Sequence, residues 1–448
     1  MAGGPRASQG FPACAEALGQ AAAPAEGGAH FKDHGEPCES YVRLSRALFT
    51  AGCEGNFVVD FNPLPFRSTL DQYQKQAADL LEAHRAGDSQ AIRILHENHP
   101  RFLDSKIPRL SRNLPASEIQ NAALDLADAQ LTLARWYSFQ SWPALAEYTE
   151  AVTRDGSPVC QFESAVEAVI TGDAATLESL LHDSPGLVRA RSTRVTPFDP
   201  PVHRATLLHY VGANGVENHR QKTPKNAVEI AKILLSSGAE VDALADMYGG
   251  QCTTMSMLVS SHHPAEAGVQ VALVETLLDF GAALETRGSE KWGSPLMTAL
   301  AFGYPKAAEA LVRRGARVDN VAAAAGLGRL ADAARLLPAA DADSRHRALA
   351  LATQHGHVEV VRLLVDAGED PSRHNPDGTH SHSTPLHQAA LAGHEAVVRL
   401  LVERGARLDV KDTIYQGTPL GWAIYARQTE IEKYLRAQGP KTAQEPGQ

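Results

Sequence analysis

Residues 383–406 read STPLHQAALAGHEAVVRLLVERGA, and this stretch decides the fold. Thr384 is a good N-cap for a helix, and Pro385 at the first helical position loses no hydrogen bond that the helix needs. Gly393 ends that helix, because the residue there needs a positive φ that glycine adopts freely. Apolar residues then recur at helical spacing at Val397, Val398, Leu400 and Leu401. The stretch therefore predicts a pair of short helices, which Gly405 closes.

The glycine that closes the second helix recurs along the chain. It stands at Gly238, Gly281, Gly315, Gly368, Gly405 and Gly439, which are separated by 43, 34, 53, 37 and 34 residues. Two of these spacings match a repeating unit of about 33 residues. The spacing of 53 predicts a degenerate helix pair at 321–338, and the spacing of 43 predicts an insertion.

Units of this length that begin with Thr-Pro-Leu-His resemble ankyrin repeats. The resemblance implies an all-α fold, an ankyrin-repeat solenoid of stacked helix-turn-helix units with short β-hairpin loops. One such unit cannot bury its apolar face alone, so neighbours must stack on it. We predict about eight repeats over 160–440, two of them degenerate. Insertions are expected near 210–226, 246–268 and 372–383.

The residues before the repeats also have a helical pattern. Residues 80–96 resemble residues 168–182, with Gly87 and Gly172 at the same point in each. We therefore predict a small helical domain over 65–157 that contains an ankyrin-like helix pair. Residues 1–64 are rich in Gly, Ala and Pro near their start and are predicted to be disordered or poorly ordered, as is a tail at 441–448.

Several stretches resemble a more specific group, bacterial ankyrin-repeat proteins without an assigned activity. They are LHYVGANGVE at 208–217, SHHP at 261–264, DTIYQGTPLGWA at 412–423 and FQSWPAL at 139–145. This resemblance implies the fold and a bacterial cytosolic setting. It implies no reaction and supplies no catalytic residues, so we predict that the protein is not an enzyme.

Composition excludes some classes of function. The 448 residues are 44% hydrophobic and 21% charged with a net charge of −10, which is typical of a soluble protein and unfavourable for non-specific nucleic-acid binding. No run of 18 apolar residues exists, so we expect no membrane span and no membrane partner. The five cysteines are scattered and form no Cys-x-x-Cys pair, which indicates a reducing, cytoplasmic compartment without disulfides or a structural zinc site.

The first functional hypothesis is protein binding at the concave groove of the repeats. In the repeat register, the position after Thr-Pro-Leu-His faces that groove, and exposed Trp and Tyr are typical of binding hot spots. The predicted groove residues are Trp292, Thr298, Tyr304, Gln388, Trp422 and Tyr425. The alternative for Trp422 is that it caps the preceding repeat. The sequence identifies neither the partner nor the oligomeric state.

The second hypothesis is a small-molecule or catalytic site built from the irregular loops at 209–226 and 248–263. Adjacent loops rich in Gly, His, Arg and hydroxyl groups can converge on one polar site. The candidate residues are His209, Tyr210, Asn214, Glu217, Arg220, Tyr248, Thr253 and His262. The alternative is that these side chains only satisfy the backbone groups of the insertions.

Two further hypotheses carry less weight. His374, His380, His382 and His387 lie within 14 residues, but histidines alone on a loop are weak ligands, so we predict no metal and no cofactor. Residues 124–152 have helix-turn-helix spacing, but the second helix is acidic. It is therefore unsuited to phosphate contact, and no nucleic-acid partner is expected.

Overall fold

A computed structural model describes residues 61–105, 110–212, 216–247, 250–285 and 293–439. The described chain divides into two compact units, residues 61–295 and 296–439. Apart from 61–64, the extension predicted at 1–64 lies outside the described residues, as does the tail predicted at 441–448. The limits of the small helical domain at 65–157 stay a prediction.

The first unit is mainly helical. Its α-helices are α1 (Leu70–Arg85), α2 (Ser89–Asn98), α3 (Ala116–Gln120), α4 (Leu126–Trp136), α5 (Trp142–Thr153), α6 (Pro158–Thr171), α7 (Ala174–Asp183), α8 (Leu207–Val211), α9 (Ala227–Ser236), α10 (Thr254–Leu258), α11 (His262–Glu266) and α12 (Gln270–Asp279). Short 3-10 helices lie at Pro100–Phe102, Pro185–Arg189 and Asn218–Arg220. Strands β1 (Ala245–Met247) and β2 (Gly250–Cys252) pair antiparallel, with Ala245 opposite Cys252.

The helix boundaries in this unit follow local capping. The Ser141 hydroxyl accepts a hydrogen bond from the Ala144 N–H at 3.4 Å and so caps the start of α5. Gly172 ends α6 with a φ of 79°. Helices α1 and α4 pack together around an aromatic core that includes Tyr73, Leu133 and Tyr137. This core holds the helices that precede the first regular repeat.

The second unit consists of helix pairs in sequence. Its α-helices are α13 (Pro295–Ala301, beginning at the last residue of the first unit), α14 (Pro305–Arg313), α15 (Val321–Gly326), α16 (Leu330–Leu336), α17 (Ala342–Gln354), α18 (Val358–Asp366), α19 (Pro385–Ala392), α20 (Glu395–Glu403), α21 (Pro419–Tyr425) and α22 (Thr429–Gln438). A 3-10 helix, Leu337–Ala339, follows α16. Helices α15 and α16 lie within 321–338, the interval in which the glycine spacing predicts a degenerate pair.

The pairs of the second unit stack in two layers. Helices α15, α17, α19 and α21 pack successively against one another, as do α16, α18, α20 and α22. The small residues of the first layer permit this, since Ala323, Ala350 and Ala389 are almost fully buried. Among the described residues only β1 and β2 form a strand pair, so the short β-hairpin loops expected between repeats are otherwise loops without strands. Across all the residues that the structure describes, no helix is long and apolar enough to cross a membrane.

A histidine at the start of α18 and another at the start of α20 each tie a repeat to the one before it. The ring Nε2 atoms of His357 and His394 lie 3.0 Å and 2.9 Å from the carbonyl oxygens of Gly326 and Gln354. In the first unit, Asn226 Nδ2 donates to the Gly172 carbonyl at 2.9 Å in the same way. These bonds satisfy carbonyls that the end of a helix leaves without an intrahelical partner.

Candidate functional site: an aromatic surface and a buried charged cluster

Trp422, the most prominent residue of the predicted groove, is held by a buried carboxylate. Asp412 is fully buried, and its Oδ2 accepts a hydrogen bond from the Trp422 indole at 3.1 Å and one from the Gly417 N–H at 2.8 Å. Its Oδ1 accepts the Ile414 N–H at 3.0 Å. The indole is therefore fixed to the loop before α21, while part of the ring stays accessible.

Other rings extend the tryptophan into a surface. Trp422 contacts the His382 ring with centroids 5.7 Å apart, and His382 contacts Tyr415 at 6.4 Å. Tyr425 lies one turn after Trp422 on α21 and is half-buried. Tyr415 is 39% exposed. We call these four residues the aromatic surface: His382, Tyr415, Trp422 and Tyr425.

The other predicted groove residues do not contribute to it. Thr298, Tyr304 and Gln388 are buried, and Gln388 Nε2 donates to the Ser383 hydroxyl at 2.8 Å. Such side chains offer almost no area to a partner, so their assignment to an exposed groove is corrected. The repeat register fails here because the packing of the neighbouring repeats covers these positions. Trp292 lies outside the described residues.

Histidines in the repeats contact backbone carbonyls and helix caps. His387 Nδ1 lies 3.2 Å from the Thr384 N–H and 2.8 Å from its hydroxyl, and Nε2 lies 3.1 Å from the Gly417 carbonyl. Burial lowers the pKa of His387 to about 4, which keeps the ring neutral. A neutral ring can accept at Nδ1 and donate at Nε2, as this geometry requires. His387 therefore ties its helix start to the next loop.

The same device explains a residue of the predicted ligand pocket. His209 Nδ1 lies 3.2 Å from the Thr206 N–H, and Nε2 lies 3.4 Å from the Cys252 carbonyl. Burial lowers the pKa of His209 to about 4. Thr253 is likewise a cap, since its hydroxyl accepts the Ser256 N–H at the start of α10 at 3.2 Å. His209 and Thr253 therefore form hydrogen bonds with backbone groups. This agrees with the alternative that side chains of the irregular loops satisfy the backbone of the insertions.

The histidines considered as metal ligands at 374–387 follow the same pattern. His374 Nε2 lies 3.2 Å from the Lys411 carbonyl, and His380 Nε2 lies 3.1 Å from the Ala301 carbonyl. His382 packs between the Tyr415 and Trp422 rings. Their positions are explained by loop attachment and ring packing.

The irregular loop before α9 builds a buried charged cluster in the first unit. Glu217 and Arg220 come from this loop, Glu163 from α6, and Arg194 from the segment between α7 and α8. Arg220 Nη1 pairs with Glu163 and lies 3.2 Å from Glu217 Oε2. Arg194 lies 3.6 Å from Glu163 and 3.5 Å from Glu217. All four side chains are buried, so two cations face two carboxylates without solvent.

Two hydrogen bonds to Glu217 complete the cluster. Glu217 Oε1 accepts the Tyr210 hydroxyl at 2.6 Å and lies 2.9 Å from His203 Nε2. Burial alone would raise the pKa of Glu217, but Arg194, His203 and Arg220 together lower it well below its usual range. Burial raises the pKa of Tyr210 well above its usual range. Glu217 is thus ionised and Tyr210 is a neutral donor at physiological pH.

The cluster partly agrees with the predicted ligand pocket. Of the predicted residues, the structure brings together Tyr210, Glu217 and Arg220. Asn214 and Tyr248 lie outside the described residues, and His262 is on α11 and makes no hydrogen bond to the cluster. Sequence reasoning missed Glu163, Arg194 and His203. A charge at a buried position of the apolar helix α6 was the one available signal for Glu163.

Comparisons with known proteins agree with this fold. The family model described as ankyrin repeats (3 copies) matches residues 320–412 and 371–445. The chain is 37% identical over 109 residues to the mouse ankyrin repeat and SAM domain-containing protein 6, which covers 24% of this chain and 12% of the relative. It is 28% identical over 211 residues to the human SH3 and multiple ankyrin repeat domains protein 2, covering 47% of this chain and 10% of the relative.

A solved structure, that of the human ASB11 ankyrin repeat domain, aligns at 21% identity with a TM-score of 0.33, covering 62% of this chain and 98% of that domain. The curated relatives are much longer proteins, of which this chain spans about a tenth. Their similarity concerns the repeats. Residues 320–445 of this chain therefore carry ankyrin repeats.

Proposed function

We propose that the protein is a non-catalytic recognition module that binds a protein partner through the aromatic surface. One observation carries the proposal: Trp422 is fixed by Asp412 while it still presents part of its ring beside His382, which contacts the exposed Tyr415. Trp and Tyr dominate protein-binding hot spots, and a side chain fixed before binding loses less entropy on association.

The repeat family supports this proposal. Ankyrin repeats are protein-interaction modules, and arrays of this kind use an extended surface for binding. A cytoplasmic setting belongs to the proposal and rests on the scattered cysteines. A bacterial setting also belongs to it and rests on the resemblance of particular sequence stretches, because the curated relatives come from eukaryotes.

The experiment compares partner capture by three proteins. The wild type, a Tyr415→Ala/Tyr425→Ala variant and a Leu330→Ala variant are immobilised separately. Each is then incubated with lysate from the source cells. The double variant keeps the Trp422–Asp412 hydrogen bond, so we expect it to remain folded by circular dichroism. Leu330 is 42% exposed on α16 and is the matched control for loss of exposed apolar area.

A partner bound by the wild type and by Leu330→Ala, but at least about tenfold weaker by the double variant, supports the aromatic surface as the binding site. A partner bound equally by all three proteins contradicts it and places recognition elsewhere on the chain. Affinities of the identified partner are then measured by calorimetry with purified components.

Small-molecule binding remains a second candidate because the charged cluster holds unused donors. Arg220 Nε and Nη2 and His219 Nδ1 are buried and make no hydrogen bond to a described residue. Buried guanidinium N–H groups favour an anionic acceptor. Thermal unfolding with phosphate, sulfate or small carboxylates tests this candidate. A rise in Tm for the wild type that Arg220→Lys abolishes supports it, whereas no rise with any anion leaves the cluster a structural core.

A further inference from the structure

Helix α11 carries a group of side chains that the recognition function does not use. It spans the sequence His262-His263-Pro264-Ala265-Glu266. The imidazole nitrogens of His262 and His263 and a carboxylate oxygen of Glu266 offer ligand atoms that all lie within 4.8 Å of one another. Within the described residues, no other group of three His, Cys, Asp or Glu side chains meets that distance.

The spacing along the helix explains this convergence. Glu266 lies four residues after His262 and three after His263, so one turn of helix places its carboxylate beside both rings. The two ring centroids are 3.9 Å apart with planes at 34°. Three ligand atoms therefore face a common point from one side of the helix.

The segment is held in place by its neighbours. Pro264 is buried under the helix, and α11 packs against α12. The Gln270 amide donates to the Leu258 carbonyl at 3.0 Å and to the Ser261 carbonyl at 3.2 Å, which fixes the turn that precedes α11. The backbone that carries the three ligand side chains is thus held in place by its neighbours.

The two histidines differ from the structural histidines of the repeats. His355, for example, lies 2.8 Å from the Leu300 carbonyl, and His394 lies 2.9 Å from the Gln354 carbonyl. The rings of His262 and His263 make no hydrogen bond to any residue in the described part of the chain, and both are only partly buried. The ring nitrogens of His262 and His263 are therefore not committed to backbone carbonyls, unlike those of His355 and His394.

We propose that His262, His263 and Glu266 bind one divalent transition-metal cation of the Zn²⁺ class. Two imidazole nitrogens and one carboxylate oxygen match the ligand preference of Zn²⁺ and leave a fourth position for water. Glu266 is exposed, so the ion can enter from solvent. The described residues supply no carboxylate or carbonyl to orient the second nitrogen of either ring, so the site is weak and exchangeable. This inference is independent of the aromatic surface, which belongs to the other unit.

The experiment uses the full chain without a histidine tag, treated with chelator and then dialysed. Binding of ZnCl₂ is measured by calorimetry, and CoCl₂ is added separately to follow the visible absorption of the bound ion. The variants are Glu266→Gln, which changes one exposed group, and His262→Ala/His263→Ala. His182→Ala is the matched control, because His182 is an exposed histidine on another helix, α7.

We expect one equivalent of Zn²⁺ to bind the wild type and His182→Ala equally. Glu266→Gln should bind at least about tenfold more weakly, since even loss of a group that only orients a ligand weakens metal binding by about 10–100-fold. The double histidine variant should lose the Co²⁺ absorption. Unchanged affinity in Glu266→Gln, or no binding by the tag-free wild type, overturns the assignment. Because Glu266→Gln leaves the packing intact, the test holds even if the double variant unfolds.

Discussion

The two units bury polar groups in different ways. In the first unit, the charged cluster places two arginines and two glutamates out of contact with water. In the second unit, Asp412 is the one buried carboxylate among the described residues of 296–439, and no Arg or Lys of these residues is buried. Asp412 meets N–H groups rather than a cation.

The difference follows from repeat regularity. Where repeats are regular, the same neutral side chain can satisfy the same carbonyl at each step, as His357 and His394 do. The segment before α9 interrupts a repeat, so its side chains have no equivalent partner in the next unit. There, ion pairs between distant segments take over the role of positioning the chain. Buried charges require complete pairing, which makes this solution more sensitive to substitution.

The largest expected effect comes from breaking the charged cluster. Glu217→Ala removes a carboxylate that faces Arg194 and Arg220 and leaves both cations partly unpaired in the core. We expect the free energy of unfolding to fall by about 3–5 kcal/mol, as measured by urea denaturation.

The control for this change is an exposed ion pair in the same unit. Glu150 pairs with Arg154 at 2.8 Å, and both side chains are mostly exposed. Glu150→Ala should lower the free energy of unfolding by less than about 0.5 kcal/mol. Similar losses in the two variants would mean that the cluster is hydrated in solution, and the contrast between the units would disappear.

A smaller effect tests the contact between regular repeats. Gly356 has a φ of 76°, and an added Cβ would lie 2.7 Å from the His394 ring. Gly356→Ala should therefore strain the backbone by about 1–2 kcal/mol and also disturb the bond from His394 to Gln354, adding about 1 kcal/mol. Thermal or urea unfolding measures the sum.

Gly156 provides the matched substitution in the first unit. Its φ is 75°, and nothing lies within 4 Å of an added Cβ. Gly156→Ala should show the backbone strain alone, so the difference between the two variants reports the inter-repeat contact. If Gly156→Ala were as destabilising as Gly356→Ala, the His394 bond would contribute nothing to stacking.

The last expected effect appears only on acidification. Burial holds the pKa of His387 in the folded chain at about 4, below its unfolded value of about 6.5. Between these values the unfolded chain binds a proton that the folded chain does not, so acidification destabilises the fold. Above about 6.5 His387 has no effect, and below about 4 the loss reaches a constant value. We expect His387 to contribute about 1 kcal/mol per pH unit within that window, measured by urea unfolding at several pH values.

His387→Gln separates this contribution from that of other groups. Glutamine at the same position after Thr384 preserves a capping box but does not titrate. The variant should therefore unfold with a shallower pH dependence between about 4 and 6.5. An unchanged slope would show that His387 titrates alike in the folded and unfolded chains.

Local patterns predicted the helices and their limits well. Thr384 and Pro385 start α19, Gly393 ends it, and the degenerate pair at 321–338 was visible from the spacing of glycines. These features depend on neighbours within a few residues, which one sequence displays. The inter-repeat role of His394 was not visible, because its partner carbonyl at Gln354 lies 40 residues away.

The candidate sites were less predictable for the same reason. Trp422 was identified by its residue type and register, but its anchor, Asp412, was not. Gln388 was expected in the groove, and packing buried it. The sequence analysis placed Tyr210, Glu217 and Arg220 in one irregular region. It did not connect this region with Glu163, Arg194 and His203, which come from other segments. The pairing of His262 and His263 with Glu266 is readable from helical spacing, but their lack of other hydrogen-bond partners is not.

The sequence by itself determined the helix pairs, their caps and their repetition, because capping and apolar periodicity act over one or two turns. It also determined that neighbouring pairs must stack, since each pair exposes an apolar face. The tertiary structure alone decided which polar side chains are buried and which partners satisfy them. That outcome depends on long-range packing, which removes water from Glu217 and Gln388 but leaves part of Trp422 accessible.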